Sequence, residues 1–191
     1  MFRPLPPFAT FTHLDIRTGY EAVFFRDTAE GFRIEGGTAA VEEGTPGSVQ
    51  YRIAADDQWR TTRVEASGIS PAGLRTMTAE TRDGRWFVDG IERPDLDGCV
   101  DIDFETSAAT NTLAVHRLDL SSRTPVQAPA AFVRFDDLRV HRMEQTYLCT
   151  EQTDDRIIFD YTSTTFDFAC KLVFDSSGLI IDYPGIGRRD Q

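Results

Sequence analysis

Asp101, Asp103, Asn111 and Arg117 lie close together in the stretch Asp97–Leu120, DGCVDIDFETSAATNTLAVHRLDL, whose other residues read largely as an apolar β-like run. On a strand, a spacing of two puts both carboxylates on one face and Val100, Ile102 and Phe104 on the other. Paired carboxylates serve glycoside hydrolysis only when they flank a sugar from opposing sides, ~5–9.5 Å apart. Neighbours on one strand point the same way and fit that geometry poorly. Glu105 extends the acidic face, but a divalent cation needs more oxygen ligands, and no loop here has a calcium-binding pattern. The pair therefore reads as a solvated or ion-paired structural face, with a ligand-contacting face as the alternative. Arg117 is the expected partner, because its fork takes a carboxylate in bidentate fashion. Inside a pocket, the same fork would grip a head group. Asn111, between Thr110 and Thr112, can donate and accept toward hydroxyls or hold an Asx-type turn.

No catalytic or metal constellation stands beside this cluster. His13, His116 and His141 lack metal-ligand spacing, no G-x-S-x-G elbow is present, and Gly36-Gly37 is not followed by the Lys of a phosphate loop. No catalytic residue, metal or cofactor is assigned. Cys99, Cys149 and Cys170 are isolated, without CxxC spacing, and are expected as reduced, buried small hydrophobes.

The elements that must position the cluster read as strands. Short β-rich runs recur at Glu21–Phe25, Gly31–Ala40, Val49–Ala54, Trp59–Ala66, Leu74–Thr81 and Arg85–Val88. They continue at Ala131–Phe135, Leu138–Leu148, Arg156–Ser163, Thr165–Phe174 and Leu179–Asp182. Asp83-Gly84 marks a two-residue hairpin, since both residues tolerate positive φ. From Phe166 to Phe174, alternate residues place Phe166, Phe168, Cys170, Leu172 and Phe174 on one face. Only Thr110–Leu118 and a cap at Ser70–Leu74 suggest short helices. The expectation is an all-β, mainly antiparallel fold with at most short helices. So many strands must roll up or stack to cover their apolar faces, enclosing a core or a cavity.

At 191 residues the chain is expected to be a single domain spanning 1–191. Fourteen Phe argue against disorder. A net charge of −11 argues against nucleic acid as a partner, because phosphate binding relies on Lys and Arg. Pro4, Pro6 and Pro7 interrupt the N-terminus, so no signal peptide is expected, and no run approaches the ~20 apolar residues of a transmembrane segment. Cytoplasmic localisation follows as the expectation, and the oligomeric state stays open.

Beyond the acidic stretch, the chain carries Gly19-Tyr20-Glu21, Tyr51-Arg52-Ile53, DDQWRTTRVEA (Asp56–Ala66) and DGRWFVDG (Asp83–Gly90). AAFVRFDDLRVHRMEQTY (Ala130–Tyr147), FDYTST (Phe159–Thr164) and FDSSGLIIDYPGIGRR (Phe174–Arg189) follow. In this order, from about Gly19 to Arg188, the segments resemble the bacterial family called "putative glycolipid-binding". Ala114, His116 and Gly187 depart from its pattern. The resemblance implies a spiral β-roll that binds a hydrophobic or amphipathic small molecule, a glycolipid included, without acting as an enzyme. Apolar strand faces would hold the tail. Asp101, Asp103, Asn111 and Arg117 would make polar contacts, while Trp59 and Tyr147 would help line the cavity. The rivals are a hydrolase or isomerase using Asp101 or Asp103, and a protein-interaction module.

Overall fold

A computed structural model describes residues 2–121 and 124–190. Its strands are β1 (Phe8–His13), β2 (Arg17–Thr28), β3 (Gly31–Glu42), β4 (Thr45–Ala55), β5 (Thr61–Ser70), β6 (Gly73–Arg82), β7 (Arg85–Val88) and β8 (Ile91–Glu92). Then come β9 (Asp101–Phe104), the helix α1 (Asn111–Arg117), β10 (Val126–Gln127), β11 (Ala130–Val133), β12 (Val140–Met143) and β13 (Gln145–Gln152). The chain closes with β14 (Arg156–Ser163), β15 (Phe168–Asp175), β16 (Ile180–Tyr183) and β17 (Gly187–Arg189). The fold is all-β, as expected.

Fourteen strands form one antiparallel sheet in the order β10-β13-β14-β15-β16-β17-β1-β2-β3-β4-β5-β6-β7-β8. The two ends of the chain meet in its middle, where Phe11 pairs with Arg189. Period-two alternation sets the inner face of each arm. Val49, Tyr51, Ile53 and Ala55 are buried on β4, and Ile157, Phe159, Tyr161 and Ser163 on β14. A second sheet of three strands, β12-β11-β9, pairs β9 parallel to β11.

The segment from Cys99 to Arg117 touches both arms of the large sheet. Thr61 N on β5 donates to Val100 O at 3.2 Å, and Trp86 Nε1 on β7 donates to Cys99 O at 2.9 Å. From the other arm, Tyr147 Oη on β13 donates to Asn111 Oδ1 at 2.8 Å. A sheet whose distant strands grip one segment must curl around it. That wrapping explains α1, whose seven residues are too few to hold together in water. Asn111 to Val115 are all buried, so packing keeps the helix.

Several sequence expectations shift in detail. The Asp101–Phe104 strand has no solvated face: all four residues are buried, because β9 lies inside the curled sheet. Trp59 precedes its strand, at φ +63°, and β5 starts at Thr61. Ser70–Leu74 forms the β5–β6 hairpin turn rather than a helix cap, with Gly73 at φ +102°. The run expected as one strand from Leu138 to Leu148 is cut at Glu144, and its halves join different sheets. The Asp83-Gly84 hairpin has both residues at positive φ, as expected.

Candidate functional site

An inner cavity of ≈340 Å³ opens between the enclosed segment and the C-terminal arm. Asp103, Ser107 and Asn111, all buried, form its floor. Tyr161, Phe168 and Tyr183 line one side. Ile16 and Phe166, 44% and 46% exposed, mark the opening. A polar floor beneath an apolar mouth is the usual make-up of a small-molecule site.

β9 and α1 lie antiparallel and share two polar contacts. At one end, the Thr110 hydroxyl donates to Asp103 Oδ1 at 2.5 Å. Thr110 is the N-cap residue, yet its side chain caps no helical N–H, because Asp103 and the Phe104 amide engage it instead. At the other end, the Arg117 fork grips Asp101 through Nε at 3.1 Å and through Nη2. Burial lifts the Asp101 carboxyl above its ordinary range, and Arg117 offsets part of that rise. Burial, together with the like charges of Asp101 and Glu21, pushes Asp103 up to about 7, against the Thr110 hydrogen bond. Asp103 therefore titrates near neutrality.

A third carboxylate anchors the floor. Glu21, fully buried on β2, accepts from Tyr51 Oη at 2.6 Å, the Ala108 amide at 2.9 Å and the Ser107 hydroxyl. Burial raises its pKa, and these three donors lower it. Thr38 Oγ1 on β3 adds a bond to Thr106 O at 2.8 Å. The loop from Thr106 to Ala109 is thus pinned to the N-terminal arm.

The six residues singled out from sequence divide by position. Asp103 and Asn111 line the cavity. Asp101 and Arg117 pair behind it, as the sequence suggested for Arg117. Tyr147 lies outside the lining and holds Asn111 from behind. Trp59 is in a separate aromatic column, stacked on Phe32 at 3.8 Å and on His116 at 3.9 Å. Sequence reasoning missed Glu21, Tyr161, Phe168 and Tyr183 as site groups. One signal was present: Glu21, Val23 and Phe25 alternate on β2, which puts a carboxylate on an inward-facing row.

A larger trough, ≈1050 Å³, lies on the outer face of β2 to β5. Exposed Tyr20 and Phe24 flank it, and Glu35, Arg52 and Glu65 cross it as ion pairs. It is open to solvent and withdraws little surface from water, so the inner cavity is the better ligand site. Among the described residues, no group of three or more His, Cys, Asp and Glu is placed to hold a metal, and no helix is long and apolar enough to cross a membrane.

Comparison with known proteins gives a consistent frame. The profile of a family described as "Putative glycolipid-binding" matches residues 9–189. No curated protein matches the chain significantly. Among solved structures, a DUF1089 family protein from Pseudomonas aeruginosa is similar with a TM-score of 0.73 at 28% identity, over 87% of this chain and 90% of that one. A β-barrel-like protein of the domain of unknown function DUF1849 from Brucella abortus has a TM-score of 0.61 at 15% identity, over 99% and 96%. The second likeness concerns the fold alone.

Proposed function

We propose that this chain, which belongs to the "Putative glycolipid-binding" family, holds an amphipathic small molecule in the inner cavity and releases it chemically unchanged. One observation carries the reading: a buried polar floor at Asp103 and Asn111 faces an opening flanked by the exposed apolar side chains of Ile16 and Phe166. The polar end of the ligand would contact Asp103 and Asn111. Tyr147 would fix the Asn111 amide, and the Asp101–Arg117 pair would hold β9 against α1. At ≈340 Å³ the cavity is near the lower end of the ~300–1,000 Å³ typical of ligand sites. It takes a head group and the first part of a tail, and a longer tail runs out past Phe166.

Asp103 also favours a second reading. A carboxyl that titrates near 7 in a cavity suits general acid–base work, so a hydrolase or isomerase stays the rival. Native mass spectrometry of freshly purified protein separates the two. The binding reading expects a non-covalent organic adduct that activation strips off intact and that Phe166→Asp loses. An adduct that this substitution leaves in place, or one that is converted during incubation, contradicts it.

A further inference from the structure

The cations around the cavity are already committed. Arg17 pairs with Glu42 at 3.0 Å and also donates to the Glu105 carbonyl. Arg134 pairs with Glu105 at 3.1 Å, and the Arg117 fork is taken by Asp101. Asp103 is 8% exposed and faces the cavity, yet among the described residues no Lys, Arg or His pairs with it. Its side-chain partner is the Thr110 hydroxyl. Beside an uncharged guest the ionised group is uncompensated and tends to take up a proton, and an anionic guest adds repulsion.

The wall beside Asp103 has matching chemistry. The rings of Tyr161, Phe168 and Tyr183 form a triangle, with centroids 6.4, 5.9 and 6.2 Å apart around its sides. Aromatic faces are electron-rich, and clusters of such faces beside a carboxylate attract cationic nitrogen. We infer that the cavity selects an amphiphile whose head carries a positively charged nitrogen, a primary amine or quaternary ammonium, with Asp103 as counter-ion and the three rings as its cage. This rests on the cavity being an amphiphile site. An amino sugar and an alkylammonium share the chemistry, while a phosphate or sulfate head meets only guanidiniums that are already paired.

Several titratable groups face Asp103, and burial raises the two carboxyls among them as well. Asp101 neighbours it on β9, Glu21 faces it from β2, and Tyr51 from β4. Tyr147, Tyr161 and Tyr183 face it from the C-terminal arm, and burial holds all four tyrosines above their ordinary range, so they stay neutral. A bound cation favours the ionised carboxyl, so binding near pH 7 expels a proton.

Isothermal titration calorimetry of the full chain in two buffers of different ionisation enthalpy tests this. The probes are hexyltrimethylammonium, hexyl glucoside and hexyl sulfate, which share one tail. The ammonium is expected to bind at least about tenfold tighter than the glucoside, the scale of a desolvated cation–aromatic contact, and to release a proton. Asp103→Asn, which keeps the three rings, should cut that preference severalfold and abolish proton release. Phe168→Leu, which keeps an apolar wall but removes one ring, should cut the preference severalfold. Equal binding, or a preference for glucoside or sulfate, overturns the cationic head and leaves the amphiphile site standing. If no probe binds, both fall.

Discussion

Asp101 and Asp103 lie two residues apart on one buried strand, and each is bonded to an end of the same short helix. Asp101 meets a guanidinium and is closed off from the cavity, whereas Asp103 meets a hydroxyl and lines it. In both, burial raises the carboxyl pKa, but only for Asp101 does a cation work against that rise. The partner thus separates a buried charge that braces the fold from one that is a candidate contact. A carboxylate with its cation in place has little left to offer a guest. One held in a cavity by a single hydroxyl still wants a partner.

Removing the brace should have the largest effect. Arg117→Ala leaves Asp101, 2% exposed, as an unpaired buried charge, and should cost ~3–5 kcal/mol in denaturant melts near neutral pH. A loss under ~1 kcal/mol would show the pair to be solvated and would dissolve the contrast.

Asp103→Asn should move stability the other way. The folded-state pKa of Asp103 is raised from 3.8 to about 7, so its protonated form is fully favourable below pH 3.8 and that stability is lost as pH rises through about 7. Relieving it should stabilise the protein by ~2–3 kcal/mol at about pH 8 and by almost nothing near pH 4. Two histidines have the opposite slope. His13 and His116 are lowered from 6.5 to about 4 by burial, so their contribution is present above pH 6.5 and lost as pH falls through about 4. The gain of Asp103→Asn over the wild type should therefore grow as pH rises from about 4 to 7 and level off above that. Equal profiles would place Asp103 in water.

Tyr147→Phe should have a smaller effect, because it removes one donor from the buried Asn111 Oδ1 while the Asn111 amide keeps its bond to Ala108 O. The expected cost is ~1–2 kcal/mol. Arg52→Ala, on the exposed Glu35–Arg52–Glu65 ladder, should cost less still, because water screens those ion pairs. If the two changes cost the same, the interior network is no tighter than the surface one.

Much of the fold was legible because a half-buried strand has to alternate. The row on β15 could be read directly, and the Asp83-Gly84 turn followed from its φ preferences. What local pattern could not carry was topology. No spacing says that β9 and α1 are swallowed by the sheet, and this is why the solvated face proved wrong while the ion pair, at Asp101, is present but buried. For the same reason Trp59, expected to help line the cavity, stacks instead on Phe32 and His116. The pairing of Arg117 with Asp101 was legible from the reach and shape of the guanidinium. The aromatic wall was not, since Tyr161, Phe168 and Tyr183 converge from three strands.

Binding in the inner cavity rather than the larger outer trough can be read residue by residue. A nuclear magnetic resonance titration of isotope-labelled protein with hexyltrimethylammonium and hexyl glucoside tests it most directly. Saturable shifts are expected for Asp103, Asn111, Phe168 and Tyr183, with Tyr20 and Phe24 on the outer face unmoved. Shifts confined to Tyr20, Phe24 and the β2–β5 outer face, with the cavity residues silent, would contradict it.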